Sequence, residues 1–303
     1  MSTQSKIEWT DATWNPVTGC DAVSPGCDHC YARAMAHRFA GRAGYPAAPR
    51  EFDVTLHPER LAEPLRWRKS RRVFAVSMGD LFHHSVPDEF IDRVLAVMAA
   101  CPQHTFQVLT KRPQRMLDYL SALYQSERWL EALWHCGRAV KTEGVLSAIR
   151  GVIPLPNVWL GVTAEDQQRA DERIPLLLQT PAAVRFVSCE PLLGPVDLTA
   201  CRKEGVVDVD AMAGTHGVYR PHDGTNAKLD WVICGGETGP QARATHRAWA
   251  RSLRDQCAHA GVPFFFKRHS QNNAPRQGQS MDAARLAHTL DGVEHHAFPE
   301  AAG

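Results

Sequence analysis

The stretch from Val158 to Glu190, VWLGVTAEDQQRADERIPLLLQTPAAVRFVSCE, contains the unit from which the fold follows. Val158 to Val162 is a nearly continuous apolar run, the pattern of a parallel strand buried on both faces rather than of a strand with one wet side. From Glu165 to Leu178 the apolar residues recur at three- and four-residue spacing, which is helical. Val184 to Cys189 is a second apolar, β-branched run, and it ends at Glu190. Strand, helix and strand in immediate succession make a βαβ unit.

The same rhythm extends outward. Further strand-like runs are Phe52 to Leu56, Val73 to Met78, Phe106 to Thr110, Trp231 to Cys234 and Pro263 to Phe266. Helical periodicity covers Pro87 to Ala100, Gln114 to Leu123 and Ala248 to Ala260. Such alternation predicts a parallel βα barrel or a doubly wound sheet. The ends of the runs choose between them. Ser77 with Asp80, Thr110 to Arg112, Thr163 with Glu165, Ser188 with Glu190, Gly235 to Glu237, and Lys267 with Arg268 spread polar groups evenly along the chain. Barrel enzymes build their sites from the carboxyl ends of many strands, whereas a doubly wound sheet concentrates them at one crevice. The expectation is an α/β fold: a parallel βα barrel of TIM type, complete or partial, formed by residues 1–270 as one domain. An inserted helical hairpin is expected at about 124–152, an exposed loop from Cys201 to Leu229, and a polar C-terminal extension, 271–303, that either lies over the barrel mouth or stays mobile.

Composition narrows the class. The 303 residues are 44% hydrophobic and 22% charged, with a net charge of +1. Those are the proportions of an ordinary globular protein, and nucleic-acid contact would have to come from local patches. No apolar run is long enough to span a bilayer and Met1 to Glu8 is polar, so a cytoplasmic enzyme without membrane contact is expected.

The nine cysteines are the informative count. Cys101, Cys136, Cys189, Cys201, Cys234 and Cys257 are scattered, several in apolar segments where a cysteine acts as a small hydrophobe. Cys20, Cys27 and Cys30 form a tight odd group, which in a cytosolic chain indicates metal rather than disulfide. Cys27 and Cys30 have the two-residue spacing that turns two thiolates toward one centre, and Gly19, Pro25 and Gly26 allow the tight backbone that brings Cys20 there. The pattern beyond Cys30 is helical through Tyr31, Ala34, Met35 and Arg38. Two readings of the trio stand side by side: a 4Fe–4S cluster with one iron left open, or a zinc knuckle completed by His29 or His37.

The segment Gly19-Cys20…Gly26-Cys27-Asp28-His29-Cys30-Tyr31-Ala32 resembles the cluster loop of radical S-adenosylmethionine enzymes, especially the branch that includes spore photoproduct lyase; Asn15-Pro16 matches the Asn-Pro ahead of that branch's first cysteine. The spacing here is six then two, against the usual three then two. More closely, the chain resembles an uncharacterised three-cysteine-motif family common in phages and prophages. The shared stretches are Ile7 to Pro16 (IEWTDATWNP), Ser77 to His83 (SMGDLFH), Leu109 to Pro113 (LTKRP), Trp159 to Thr163 (WLGVT), Ser188 to Gly194 (SCEPLLG) and Gly235 to Glu237.

The resemblance implies a 4Fe–4S cluster on Cys20, Cys27 and Cys30 whose open iron chelates S-adenosyl-L-methionine, yielding a 5′-deoxyadenosyl radical that takes hydrogen from an unactivated carbon. It also implies a flavodoxin- or ferredoxin-type reductant and a nucleic acid or nucleotide substrate. The most specific expectation is rearrangement of an amino-acid-modified thymine in phage DNA hypermodification. A repair lyase on damaged pyrimidines comes second within that class, and a non-enzymatic zinc protein that binds nucleic acid is the alternative from another class. Cofactor-binding candidates on strand ends and the cysteine loop are Tyr31, Ser77, Asp80, Thr110, Ser188 and Glu190. Asp80 as a helix cap and Glu190 paired to an arginine such as Arg185 are the structural alternatives. Gly235-Gly236-Glu237 resembles the element that binds the methionyl ammonium, but it comes too late in the chain, and Glu237 is a candidate on position alone.

Lys111, Arg112, Lys267 and Arg268 put positive charge at the expected mouth, which suits an anionic substrate, with Lys111 and Lys267 as catalytic candidates beside Glu237. The basic run Arg66 to Arg72, with Trp67 inside it, suits phosphate contact and base stacking, or a solvated helix end. Arg243, Arg247 and Arg251 would share one side of a helix. His83 and His84 could serve proton transfer or a second metal.

Overall fold

The structure, a computed structural model, describes residues 5, 7–125, 154–203, 207–216, 227–239, 241–270 and 287–300. The expected hairpin at 124–152 lies almost wholly outside the described residues. In chain order the elements are β1 (Ala12–Trp14), β2 (Val17–Thr18), α1 (Tyr31–Phe39), β3 (Thr55–Leu56), β4 (Arg72–Ala75), α2 (Asp88–Ala99), β5 (Thr105–Thr110), α3 (Pro113–Gln125), β6 (Val158–Thr163), α4 (Gln167–Gln179), β7 (Val184–Cys189), β8 (Cys201–Lys203), β9 (Val207–Asp210), β10 (Thr215–His216), β11 (Trp231–Gly235), α5 (Arg247–Ala260) and β12 (Phe264–Arg268).

Seven strands form one sheet in the order β1-β4-β5-β6-β7-β11-β12, and every neighbouring pair is parallel. The order rises without reversal, so there is no switch point of the doubly wound kind. The central unit forms as its sequence suggests: Trp159 pairs with Val184, Gly161 with Phe186 and Thr163 with Ser188. Between them α4 is capped by Asp166, whose carboxylate accepts from the Arg169 N–H at 2.8 Å.

The side chains alternate between two apolar layers. Val73, Val108, Leu160, Val162, Val187, Val232 and Phe266 face the helices. Phe74, Trp159, Phe186, Trp231, Ile233 and Phe265 face the opposite, concave side. The sheet curls strongly. Phe74 on β4 and Trp231 on β11 are four strand steps apart, about 19 Å in a flat sheet, yet the single indole of Trp9 lies 4.6 Å from one ring and 6.2 Å from the other. The result is a curled half-barrel whose interior is filled by aromatic rings. Each buried phenylalanine there contributes on the order of 1.5–3 kcal/mol. The open edge between β1 and β12 is filled by both ends of the chain: Phe298 packs on Trp231 and Phe265, and the Arg72 guanidinium lies 3.9 Å above the Phe298 ring.

Several expectations need correction. Phe52 to Leu56 is not a strand of the main sheet; only Thr55 and Leu56 are extended, and they pair antiparallel with β2. Its place is taken by β1, too short and too polar around Thr13 to stand out as an apolar run. Cys201 to Leu229 is not simply an exposed loop. It holds the antiparallel strands β8, β9 and β10, with Cys201, Val209, Ala211, Met212, Ala227 and Leu229 buried where a helix after β7 would otherwise lie. Of the C-terminal extension, Ala287 to Thr289 meet the carboxyl end of β12, the His269 N–H donating to the Ala287 carbonyl at 2.8 Å, and the chain then runs along β12, with His296 bridged to Phe265 and the Phe266 N–H donating to the His295 carbonyl at 2.7 Å. No helix among the described residues is long and apolar enough to cross a membrane.

Candidate metal centre

Because all seven strands are parallel, their polar carboxyl ends gather at one end of the half-barrel, and the cysteine loop lies there. Gly19 bridges to Gly79 just beyond β4, its N–H donating to the Met78 carbonyl at 2.9 Å, and the Cys20 N–H donates to the Phe52 carbonyl at 3.1 Å. Gly19 has φ +86°, and a Cβ there would stand 2.2 Å from the Asp53 carbonyl oxygen. Gly19→Ala should therefore cost at least about 1–2 kcal/mol and displace Cys20, read as a lower denaturation midpoint of the metal-free chain.

Pro25 to Cys27 form a single 3-10 turn, and Cys30 caps α1, with the Ala34 N–H donating to the Cys30 carbonyl at 3.2 Å. The loop thus opens directly into a helix, as its sequence suggests. Of the cysteines among the described residues, Cys101, Cys189, Cys201, Cys234 and Cys257 are buried, while Cys20, Cys27 and Cys30 are half-buried. Burial pushes Cys257 up to about 12 and Cys234 higher, so these remain thiols. Cys27 differs. Burial raises it too, but the Lys111 ammonium, backbone groups of Val23 and Ser24, and the Ser24 hydroxyl outweigh that and hold it below the ordinary thiol value. Cys20 is pushed up to about 11, by burial first and then by the Asp80 carboxylate, with the Arg112 guanidinium 3.2 Å from its sulfur offsetting only part.

Three other elements grip the loop. From the β6 end, the buried Glu165 accepts from the Ser24 hydroxyl and from Arg173 Nη1 at 2.8 Å, and Gly26 sits so close that a Cβ would come within 2.6 Å of Glu165 Oε1. From the β11 end, Glu237 meets His29 Nδ1 at 2.9 Å and accepts from Arg243, whose Nη2 donates to the Pro25 carbonyl at 2.8 Å and Nη1 to Asp28 Oδ2 at 3.1 Å. From the β4 end, the Tyr31 hydroxyl donates to the Ser77 carbonyl, and Asn15 Oδ1 accepts from Ser77 Oγ at 3.2 Å.

A family model described as "Protein of unknown function (DUF5131)" matches residues 4–299. The chain belongs to that family. Comparison with curated proteins and with solved structures returned no match.

In this family member the expected cofactor residues prove to be heavily engaged. Asp80 is buried and accepts from Thr110 Oγ1 at 2.7 Å, the Phe82 N–H at 3.0 Å, the Lys111 N–H at 3.1 Å and Arg112 Nη1 at 3.0 Å. Thr110 also accepts from the Arg112 N–H at 2.9 Å. Both residues therefore orient Arg112 toward Cys20. Ser188 is buried at the end of β7, between Thr163 and Ile233. Glu190 pairs with Lys267 rather than with Arg185, whose guanidinium donates to the Thr180 carbonyl. Tyr31 turns its hydroxyl inward and leaves its ring 49% exposed beside Cys30, the one cofactor candidate presenting a free aromatic face.

The cations of the mouth are largely neutralised: Arg112 by Asp80, Lys267 by Glu190, and Arg268 by Glu8. Lys111 faces Cys27. The basic run Arg66 to Arg72 precedes β4 and so lies at the opposite end of the sheet from the cysteines. Arg243 lies before α5 rather than on a helical face shared with Arg247 and Arg251, because His246 is the cap of that helix. Glu237, a candidate on position alone, is the centre of the β11 grip, a role its sequence context could not signal. Glu165 was legible only as a polar strand end, since its contact to the cysteine loop, Ser24, lies 141 positions away.

Burial alone would raise Glu237, but hydrogen bonds from Arg243 and His29 outweigh it and hold the carboxyl at about 2. A depressed carboxyl contributes stability above its ordinary value of 4.5 and loses it as the pH falls toward about 2. Glu237→Gln should flatten the loss of stability across that window, checked by melting temperatures of the metal-free chain at pH values on both sides of it.

Among the described residues, Asp21, His83 and His84 are the three metal-binding side chains whose ligand atoms all fall within 4.8 Å of one another. His83 Nδ1 accepts from the Ser85 N–H at 3.1 Å, so its proton sits on Nε2 and donates to Asp21 Oδ2 at 3.0 Å. This is a hydrogen-bonded pair beside the His84 ring, whose plane is tilted by 32° at a centroid distance of 4.2 Å. The sulfurs of Cys20, Cys27 and Cys30 do not all lie within 4.8 Å of one another. His29 and His37 are each turned to a carboxylate, Glu237 and Glu51, at 2.9 Å. The donor set of the loop is three half-buried thiols, a set that zinc and iron–sulfur clusters both accept.

Proposed function

We propose that Cys20, Cys27 and Cys30 hold a 4Fe–4S cluster and that the chain is a radical S-adenosylmethionine enzyme of partial βα-barrel type. The observation that carries this reading is the contrast among the cysteines of the described residues: five are sealed in the core, and three are half-exposed on one loop that is gripped at the carboxyl end of the sheet from β4, β6 and β11. When bound, such a cluster supplies an electron and an open iron for reductive cleavage of S-adenosylmethionine, chemistry that belongs to the cofactor.

The residues of the chain have narrower tasks. Asp80 and Thr110 aim Arg112 at Cys20, which lowers the negative charge a ligating thiolate carries. Lys111 does the same for Cys27. The half-exposed ring of Tyr31 offers a flat face to adenine or to a substrate base, and stacking of that kind is worth about 1–3 kcal/mol. The aromatic filling of the half-barrel keeps water from approaching the mouth from below. Glu190 and Lys267, paired at the ends of β7 and β12, form a polar contact that a substrate entering the mouth would meet.

A nucleobase, with rearrangement of an amino-acid-modified thymine as the specific case, remains the proposed substrate on the strength of the family resemblance. Lys111 and Tyr31 support it; the paired state of Arg112, Lys267 and Arg268 gives it no broad phosphate-binding surface. A flavodoxin- or ferredoxin-type reductant belongs to the same proposal.

Anaerobic reconstitution tests the reading. The loaded chain should carry about four irons and four sulfides, with a broad absorbance near 400 nm, and when reduced it should cleave S-adenosylmethionine. A colourless protein holding one zinc ion would overturn it.

A further inference from the structure

The half-barrel is open between β1 and β12, and β1 and β11 are its first and sixth strands. Laid flat they would be about 24 Å apart. The cysteine loop crosses between them. Its beginning is fixed beyond β4, the neighbour of β1, by the Gly19–Gly79 bridge, and its Pro25 to Cys30 part meets the segment after β11 through Arg243 and through the His29–Glu237 contact.

Arg243 is built for that contact from both ends. Its carbonyl accepts from Ser270 Oγ at 2.6 Å, beyond β12, and its N–H donates to Glu237 Oε2 at 2.7 Å. Its guanidinium meets both Glu237 oxygens, Nε to Oε2 at 3.1 Å and Nη2 to Oε1 at 2.6 Å, the two-point geometry that sets a guanidinium plane. The remaining donor capacity goes to the cysteine loop, Nη2 to the Pro25 carbonyl at 2.8 Å and Nη1 to Asp28 Oδ2 at 3.1 Å. Glu237 adds His29 at 2.9 Å. The carboxylate is 5% exposed, so this is a latch set into the protein and not a loose surface pair.

We infer that Arg243 is a positioning residue: it latches the Cys27–Cys30 half of the loop to the end of β11 and so sets where that pair stands relative to Cys20, which is held independently from the β4 side. This rests on the reading of the trio as one metal centre, but the latch itself exists without metal. Lysine in its place could keep the charge, and no single ammonium could reach the carbonyl, Asp28 and both Glu237 oxygens in one plane.

Hydrogen exchange followed by mass spectrometry on the metal-free full chain tests this without any cofactor. In Arg243→Ala, peptides covering Ser24 to Ala34 should exchange faster by about tenfold or more, the change expected when local opening becomes easier. Peptides covering Val17 to Cys20 and β11 should keep the parent rates, and Arg243→Lys should behave like alanine in the loop. Unchanged exchange in the Ser24 to Ala34 peptides overturns the inference, as does a rise of equal size in β11, which would mean general destabilisation. Metal loading of the same variants then separates the two claims. Faster loop exchange with no cluster in the parent rejects the cluster and leaves the latch. A cluster in the parent with parental loop exchange in Arg243→Ala rejects the latch alone.

Discussion

Replacing Cys27 with alanine should abolish the visible absorbance of the reconstituted protein and reduce cleavage of S-adenosylmethionine to background, while leaving the melting temperature of the metal-free chain close to that of the parent. The three outcomes follow from one placement. Cys27 is half-buried at the end of a single 3-10 turn that contains no buried residue, so losing its sulfur removes little packing. Its surroundings favour the thiolate through Lys111, Val23 and Ser24, a use of charge and hydrogen bonds that core packing does not need. The matched control is Cys234→Ala. Cys234 lies in the middle of β11 and is fully buried, and its removal should cost about 1 kcal/mol while leaving iron content and absorbance unchanged. A Cys27→Ala protein that still carries its full complement of iron, or a Cys234→Ala protein that loses it, would reject the assignment of the trio.

Glu165→Ala should be the most destabilising single change at the site, about 3–5 kcal/mol, the cost of leaving one partner of a buried ion pair alone. Glu165 is fully buried, and the Arg173 side chain is 4% exposed. Arg173 Nη1 would keep its bond to the Thr163 carbonyl at 2.8 Å, but its charge would have no counterpart. Urea denaturation reads the loss as a lower midpoint at unchanged slope. The same change removes the acceptor of the Ser24 hydroxyl, so the cysteine loop should also hold metal less well. A double replacement separates the two effects. Glu165→Leu with Arg173→Met restores an apolar, volume-filling pair and should recover most of the stability, whereas metal retention should stay low because Ser24 remains without its anchor. Recovery of both together would show that Glu165 acts on the loop only through the stability of the barrel.

Much of this architecture was legible before any coordinates. The continuous apolar runs at Val158, Val184 and Trp231 could only be strands covered on both faces, and their polar ends had to collect on one side once the strands were parallel. The three cysteines stood apart from the others because their spacing, with Gly19, Pro25 and Gly26 between and around them, suits a ligand loop and no core. What was not legible has one physical cause. Ala12 to Trp14 is a strand because Arg72 to Ala75 lies beside it, and Cys201 to Leu229 forms a small sheet because α4 and the end of β7 need covering. Neither stretch carries a strong pattern of its own.

The distribution of hydrophobic and thiol groups along the chain determined the α/β class of the fold and set Cys20, Cys27 and Cys30 apart from the core cysteines, because periodicity and residue spacing are local properties. Tertiary structure alone decided which charges are free. Asp80, Glu190, Arg112 and Lys267 look alike as polar strand ends, yet each is bound to a partner between 30 and 77 positions away, and Arg243, before α5, becomes the latch of a loop 215 residues earlier. A charge is satisfied by whatever the fold brings within hydrogen-bonding reach, and that distance exists only in the folded chain.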